Sequence, residues 1–226
     1  HDDLIALFVR FGMQLHKLKI SNSTIDDFTL KEMLRLCVNL KELTLNEVTM
    51  VKKLPILNAV RNGSLKVLSV HYCDWEIFKL FMKSQLTSLT IKNYLDEASR
   101  KNLVSFLATQ YRLKELVLLG TSLRSLFQHN DIVCNFNLHN LHLDNGIGKN
   151  SENCNWNVTA FLQQHEETLQ SIEISGPHNE FISSYVLSSN FVNLHSFALD
   201  VRGLPKDEIF YEIFENQPPN YHLQNL

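Results

Sequence analysis

The sequence predicts an α/β fold built by repetition, in which about eight similar units each supply one strand and one helix. Three observations support this prediction. A unit of the form L-x-x-L-x-L recurs along the chain, consecutive units start 21 to 31 residues apart, and amphipathic stretches fill the intervals. Such units stack because none buries its apolar face alone. We therefore expect a curved solenoid, a horseshoe with a parallel sheet on its concave face and helices on its convex face.

The repeating unit is clearest where Leu113, Leu116 and Leu118 occupy its first, fourth and sixth positions. Positions within every copy are numbered here from that first leucine. Strand alternation directs positions 1, 4 and 6 inward and positions 3, 5 and 7 outward. Eight full copies and a final partial one begin at Leu15, Leu40, Leu65, Leu86, Leu113, Leu138, Leu169, Leu194 and Leu223.

Amphipathic stretches predict the helices between these strands. In the segment 29–38, apolar side chains recur at i, i+3, i+4 and i+7, which forms one stripe on a helix. The segment 96–111 is the longest, with Asp96 as its predicted N-cap. Further helices are predicted at 54–61, 157–165, 180–187 and 207–214.

One interval is enlarged by an insertion at 144–157, which is rich in Asn and Gly and predicts a surface loop. Two interpretations remain open. The insertion is either a tolerated surface loop or a loop that grips a partner through Trp156, since loops on one face of a solenoid often carry binding.

Composition restricts the function classes. The 226 residues carry 21 Lys and Arg against 24 Asp and Glu, a net charge of −3, so we do not expect nucleic acid or a membrane as a partner. The four cysteines show no paired spacing, which favours a reducing compartment, cytoplasmic or nuclear. The chain begins inside an apparent helix and ends inside a repeat, so we expect one array over 1–226 that is a fragment of a longer protein.

The sequence predicts no enzyme. It contains no phosphate-binding glycine loop and no H-E-x-x-H or G-x-S-x-G motif. Cys134, His139 and His142 suggest zinc, but no fourth ligand has suitable spacing. We therefore predict no catalytic residues, no cofactor and no metal.

The outward positions form a predicted binding strip that is basic towards the N-terminus and acidic towards the C-terminus. In its middle, Val117 and Leu119 expose apolar side chains, which is typical of a protein–protein hot spot. The alternative is that a flanking loop covers them or that they are ordinary surface residues. The predicted partner-binding residues are Val117, Leu119, His71, Lys92, His142, Asp144, Tyr72, Trp75 and Tyr94.

The copy at 65–73 follows L-x-x-L-x-L-x-x-C in full and resembles cysteine-containing leucine-rich repeats; the irregular spacing is also similar to the ribonuclease-inhibitor-like class. Phrases such as Asn39-Leu-Lys-Glu-Leu-Thr-Leu resemble the arrays of F-box/leucine-rich-repeat proteins. This resemblance implies a domain that recognises the substrate of a ubiquitin ligase, with a preceding F-box that binds the Skp adaptor and cullin.

The sequence also departs from this family. Only Cys73 places cysteine at position 9 of a copy, and no F-box is visible in the expected place because the chain begins after it would end. The stretch 204–214 resembles the opening of an F-box, but it occupies the place of a repeat helix. The main alternative function is an adaptor or inhibitor unrelated to ubiquitin. An extracellular receptor ectodomain and an RNA-binding repeat are the third and fourth alternatives.

Overall fold

The described part of the chain forms an α/β structure around one eight-stranded sheet, in which every strand is parallel to its neighbours and spatial order follows chain order. The computed structural model describes residues 2–51, 63–93, 97–121, 134–145, 155–175, 185–186, 189 and 191–200. The predicted parallel sheet is confirmed. Its strands are β1 Lys17–Asp26, β2 Glu42–Val51, β3 Val67–His71, β4 Ser88–Lys92, β5 Glu115–Thr121, β6 Asn140–Asn145, β7 Ser171–Ser175 and β8 Ser196–Asp200.

Helices alternate with these strands. They are α1 Asp2–Phe11, α2 Asp27–Leu36, α3 Phe78–Phe81, α4 Glu97–Leu107 and α5 Asn155–Gln163. Short 3-10 turns at Gly12–Gln14 and Trp75–Ile77 follow α1 and precede α3. The helix α3 has one turn because the copies at 65 and 86 are separated by the shortest interval.

The helices at α2, α4 and α5 confirm three predictions with shifted ends. Helix α2 begins earlier than predicted because Asp26 caps it: its Oδ1 accepts a hydrogen bond from Thr29 N at 2.8 Å. The predicted helices at 54–61 and 207–214 lie outside the described residues, as do most of 180–187 and the predicted N-cap Asp96.

The copies of the sequence unit align in register across the sheet. Leu43, Leu68, Leu89 and Leu116, each at position 4, are successive strand partners. One backbone contact recurs at all seven strand pairs: the carbonyl at position 2 accepts hydrogen bonds from the amides at positions 2 and 3 of the next copy. At the first pair, His16 O accepts from Lys41 N at 2.8 Å and Glu42 N at 3.0 Å.

The hydrophobic core lies beneath the sheet and is built from the inward positions. Position 1, 4 and 6 side chains are fully buried in β2 to β5, with Leu40, Leu65, Leu86 and Leu113 each 0% exposed. Burying one such side chain contributes about 1.5–3 kcal/mol. The predicted alternation of inward and outward positions is therefore confirmed, and it leaves positions 3, 5 and 7 on the opposite surface.

A left-handed residue occupies position 8 in four of the copies. Asn22, Glu47, Tyr72 and Gly120 have φ angles of 51°, 54°, 51° and 58°. Strands β1 and β2 continue past this residue and stay paired through Asp26 and Val51. This extension was not predicted from the repeat pattern. Among the described residues, no helix has the length and apolarity needed to cross a membrane.

Candidate functional site

The outward positions of eight neighbouring strands form a continuous strip of three rows. Register pairs the position-7 residues one after another, from Ser21 on β1 to Asp200 on β8. Adjacent parallel strands lie about 4.8 Å apart, so neighbouring side chains in a row touch the same ligand group. The strip therefore gathers side chains that the sequence separates by about one repeat.

The centre of the strip is apolar. Val117 and Leu119 on β5 are both half-buried. Register places Val117 between Thr90 and His142. It places Leu119 between Lys92 and Asp144, so the apolar pair is flanked by opposite charges. Val67 is a further half-buried apolar outward residue, at position 3 of β3.

The side of the strip towards β1 is basic. The Lys92 Nζ lies 5.5 Å from the centre of the Tyr72 ring, a cation–π contact. Tyr72 remains 43% exposed despite this contact. Burial, together with the positive charges of Lys92 and Lys19, lowers the pKa of His71. The His71 ring is therefore neutral at neutral pH and offers one donor and one acceptor nitrogen.

The side towards β8 is acidic. His142 Nδ1 lies 3.5 Å from Glu173 Oε2, and its Nε2 lies 3.3 Å from Ser175 Oγ. Glu173 is exposed and Asp144 is half-buried, so both carboxylates face solvent on the strip. These contacts orient the His142 ring at the border between the apolar centre and the acidic end.

Seven of the nine predicted partner-binding residues thus lie on the strip or at its edge. Trp75 lies elsewhere: it is half-buried against the core, with its ring 5.4 Å from that of Phe78. Tyr94 is outside the described residues. Both ends of the loop predicted at 144–157 belong instead to regular elements, because β6 continues through Asn145 and α5, which contains Trp156, starts at Asn155. Residues 146–154 lie outside the described part of the chain.

Sequence reasoning did not predict that two polar atoms on the strip would be left unpaired. Ser21 Oγ and His71 Nε2, both at position 7, are buried and have no hydrogen-bond partner among the described residues. Leaving such an atom unpaired costs about 1–3 kcal/mol. No sequence signal identifies them, because the loss of solvent comes from neighbouring strands.

The zinc candidates do not form a metal site among the described residues, where no group of three His, Cys, Asp or Glu side chains has suitable geometry. Burial raises the pKa of Cys134 to about 12, so its thiol stays protonated. Metal ligation requires a thiolate, which this environment disfavours.

No protein-family model matches this sequence, and a search of curated proteins finds no significant match.

Proposed function

We propose that the chain is a leucine-rich repeat array. Its strands and helices form a curved solenoid, and the binding strip lies on the concave face. Two features support this architecture. The sequence copies are in register across the sheet, and the position-2 carbonyl makes the same two hydrogen bonds at seven successive junctions. A structure in which each unit contacts its neighbours in one repeated way is the arrangement of a solenoid.

The function that we propose for this array is non-catalytic binding of a protein. The observation that carries the proposal is the apolar pair Val117 and Leu119, half-buried at the centre of an otherwise polar strip. An apolar patch surrounded by polar groups that exclude water is the usual arrangement of a binding hot spot. Leu119 is adjacent to Lys92 and Asp144 in the register, so charged groups frame the patch.

The charges also define the partner chemistry. Lys92 lies one strand away from Leu119, which corresponds to about 5 Å. Glu173 lies two strands away from Val117, which corresponds to about 10 Å. An extended segment advances about 3.3 Å per residue. The partner segment therefore carries an apolar anchor, an acidic residue about two positions to one side, and a basic residue about three positions to the other.

The biological setting that we propose is substrate recognition in an F-box type ubiquitin ligase, in the cytoplasm or nucleus. The family resemblance of the repeat phrases supports this setting. The described cysteines, Cys37, Cys73 and Cys134, form no disulfide with one another, which suits a reducing compartment. The alternative is an adaptor or inhibitor unrelated to ubiquitin, which the same strip supports equally.

Affinity purification of the full-length protein from its own cells, with mass spectrometry of the bound proteins, separates these two settings. Recovery of the Skp adaptor and a cullin supports the ligase, and the remaining proteins are substrate candidates. Recovery of another protein in comparable amount, without those subunits, contradicts the ligase and supports an adaptor.

The binding strip is tested with the recovered partner. We expect the double substitution Val117→Asp and Leu119→Asp to weaken binding by about thirtyfold or more, because it places charges in the apolar centre. The matched control is Val192→Asp, since Val192 is 50% exposed and lies off the strip. Unchanged affinity in the double variant, with circular dichroism showing a folded chain, would contradict the proposal.

A further inference from the structure

Six outward side chains on three neighbouring strands form a block of hydrogen-bond donors. The block occupies positions 5 and 7 of β2, β3 and β4, and it is flanked by β1 on one side and β5 on the other. Its members are Thr44, Ser69 and Thr90 at position 5 and Asn46, His71 and Lys92 at position 7. All six are half-buried. Each carries a hydroxyl, amide, imidazole or ammonium donor, and none carries a carboxylate.

The protein itself does not use these donors. Within the described part of the chain, none of the six side chains makes a hydrogen bond or an ion pair. His71 Nε2 is in addition buried. A buried polar atom without a partner is uncommon in folded proteins, and a bound ligand can supply the partner. Because the χ2 torsion of histidine is broad, rotation of the ring can present Nε2 to such a ligand.

The block is also positively charged. Lys92 Nζ lies 5.5 Å from the centre of the exposed Tyr72 ring, and no carboxylate of the described residues lies within ion-pair distance of it. Burial lowers the pKa of His71 most, and the positive charges of Lys92 and Lys19 lower it further. The electrostatic potential at the His71 ring is therefore positive, which attracts an anion.

The dimensions of the block fit one phosphate group. Adjacent strands lie about 4.8 Å apart, and positions 5 and 7 of one strand lie about 6.6 Å apart. A phosphate group between β3 and β4 is therefore within reach of four side chains, Ser69, His71, Thr90 and Lys92, which we call the phosphate site. A phosphate monoester has three acceptor oxygens and nearly two negative charges. A carboxylate has two oxygens and one charge, so it would leave more of these donors unpaired.

The remainder of the strip favours one phosphate group over a nucleic-acid backbone. Asp144 on β6 and Glu173 on β7 place carboxylates beyond the apolar centre. A nucleic acid lying along the strip would bring further phosphates against these carboxylates, whereas its binding depends on a series of cations. A segment with a phosphate on one side and a basic residue on the other meets both ends with opposite charges.

We propose that the phosphate site binds the phosphate group of a phosphorylated serine or threonine in the partner segment. This inference rests on the protein-binding function proposed above and specifies the acidic residue expected beside Lys92. The phosphate site lies about one and a half strands, or about 7 Å, from β5, which an extended segment crosses in about two residues. The phosphorylated residue therefore lies two positions from the apolar residue that contacts Leu119. Thr44 and Asn46 contact the backbone of the segment beyond it.

The test measures binding of fluorescein-labelled peptides to the chain by fluorescence anisotropy. The probe is Gly-Ser-pSer-Ala-Leu-Ala-Ala-Lys-Gly, where pSer is phosphoserine, together with the peptide of reversed order, so that both directions across the strip are sampled. Matched peptides carry Ser or Glu in place of pSer. We expect one phosphopeptide to bind at least about tenfold more tightly than its Ser counterpart and at least about threefold more tightly than its Glu counterpart.

Protein variants then locate the phosphate group. We expect Lys92→Gln and His71→Ala each to weaken binding of the phosphopeptide by about fivefold or more and to leave binding of the Ser peptide unchanged. The matched controls are Lys83→Gln and His195→Ala, at exposed residues outside the strip, which should leave both peptides unchanged. Circular dichroism verifies that each variant is folded.

Five results would overturn the proposal. They are equal binding of the phosphoserine and Ser peptides, equal binding of the phosphoserine and Glu peptides, equal loss in the control variants, a dissociation constant above about 1 mM for both phosphopeptides, and tighter binding of a labelled single-stranded oligonucleotide. The last result would assign the block to a nucleic-acid backbone.

A failure of the protein-binding proposal gives a different pattern. If the apolar centre binds the segment, the double substitution Val117→Asp and Leu119→Asp weakens both the phosphoserine and the Ser peptide. If that double variant binds the phosphopeptide normally while Lys92→Gln does not, the phosphate site stands and the apolar centre is contradicted. If the double variant loses both peptides while Lys92→Gln loses neither, the phosphate site alone is contradicted.

Discussion

At the scale of single residues, His165 occupies an unusual place for a titratable group. It is 1% exposed, stacked on Phe136 at 5.6 Å and in edge contact with Phe161 at 5.1 Å. Neither ring nitrogen has a hydrogen-bond partner among the described residues. Burial lowers the pKa of His165 to about 4, so the folded chain holds this ring in its neutral form.

This environment predicts acid sensitivity. The unfolded chain protonates the ring near its ordinary pKa of about 6.5, and the folded chain protonates it only near 4, so stability is lost as the pH falls through that window. We expect the free energy of unfolding to fall by about 2 kcal/mol when the pH is lowered from about 7.5 to about 5, because His165 is protonated in the unfolded chain and neutral in the folded chain. Urea denaturation at the two pH values measures this difference.

The control for His165 is the substitution His165→Leu, which removes the titrating group while keeping an apolar side chain. We expect the pH dependence of the variant to be smaller than that of the wild type by this same amount. The substitution His195→Gln serves as the control for removing a histidine at an exposed position. An equal pH dependence in wild type and His165→Leu would contradict the assignment.

The left-handed residue at position 8 gives a second residue-scale prediction. Gly120 has a φ of 58°, and a Cβ built on it meets nothing within 4 Å, so strain is the main effect of a substitution there. We expect Gly120→Ala to destabilise the fold by about 1 kcal/mol, since non-glycine residues disfavour this conformation. The reverse change, Glu47→Gly, at a φ of 54°, should stabilise the fold by a similar amount. Chemical denaturation measures both, and a stabilising Gly120→Ala would contradict the argument.

At the scale of elements, a side chain just before position 1 of one copy donates a hydrogen bond to a backbone carbonyl just before the preceding copy, and we call this hydrogen bond a tie. Asn39 Nδ2 donates to Met13 O at 2.7 Å, Ser64 Oγ donates to Val38 O at 2.6 Å, and Asn193 Nδ2 donates to Glu167 O at 2.6 Å. Each pair is 26 residues apart, and each acceptor lies two residues before position 1 of the preceding copy. The tie therefore fixes the end of one unit to the start of the next strand.

These ties predict a measurable contribution to stability. We expect Asn39→Ala and Asn193→Ala each to lower the free energy of unfolding by about 1 kcal/mol, because a backbone carbonyl loses its donor. Asn140→Ala is the matched control, since Asn140 is an exposed outward residue of β6. We expect its effect to stay within about 0.5 kcal/mol. Equal effects at the three positions, measured by denaturation, would show that the ties contribute nothing.

At the scale of the whole molecule, burial is uneven along the sheet. Leu89 and Ile91 on β4 are 0% exposed, whereas Leu18 and Ile20 on the edge strand β1 are half-buried. Local opening is easiest where few apolar contacts are lost. The edge of the sheet is therefore expected to open before its centre.

Native-state hydrogen exchange tests this order. We expect the amides of Leu18 and Ile20 to exchange through openings of lower free energy than those of Leu89 and Ile91. Uniform protection along the sheet would instead indicate one cooperative unit.

The sequence by itself determined the strands, their parallel order and most of the inward positions. Each copy of L-x-x-L-x-L carries its own apolar face, and a face that repeats every 21 to 31 residues is buried by stacking on the next copy. The outward rows followed from the same alternation. This is why Val117, Leu119, His71, Lys92, His142 and Asp144 were predicted to share a surface.

The tertiary structure decided what depends on neighbours from other copies. The hydrogen bond from Asn39 to Met13 and the unpaired Ser21 Oγ depend on atoms about one repeat away, whose distances no local pattern encodes. The depressed pKa of His165 comes from burial against both the nearby Phe161 and the more distant Phe136. Trp75 was predicted to line the rim of the strip, yet its ring stacks on that of Phe78 and packs against the core. The local period of the sequence determines which face of the sheet a side chain occupies. Packing between units determines which atoms it contacts there.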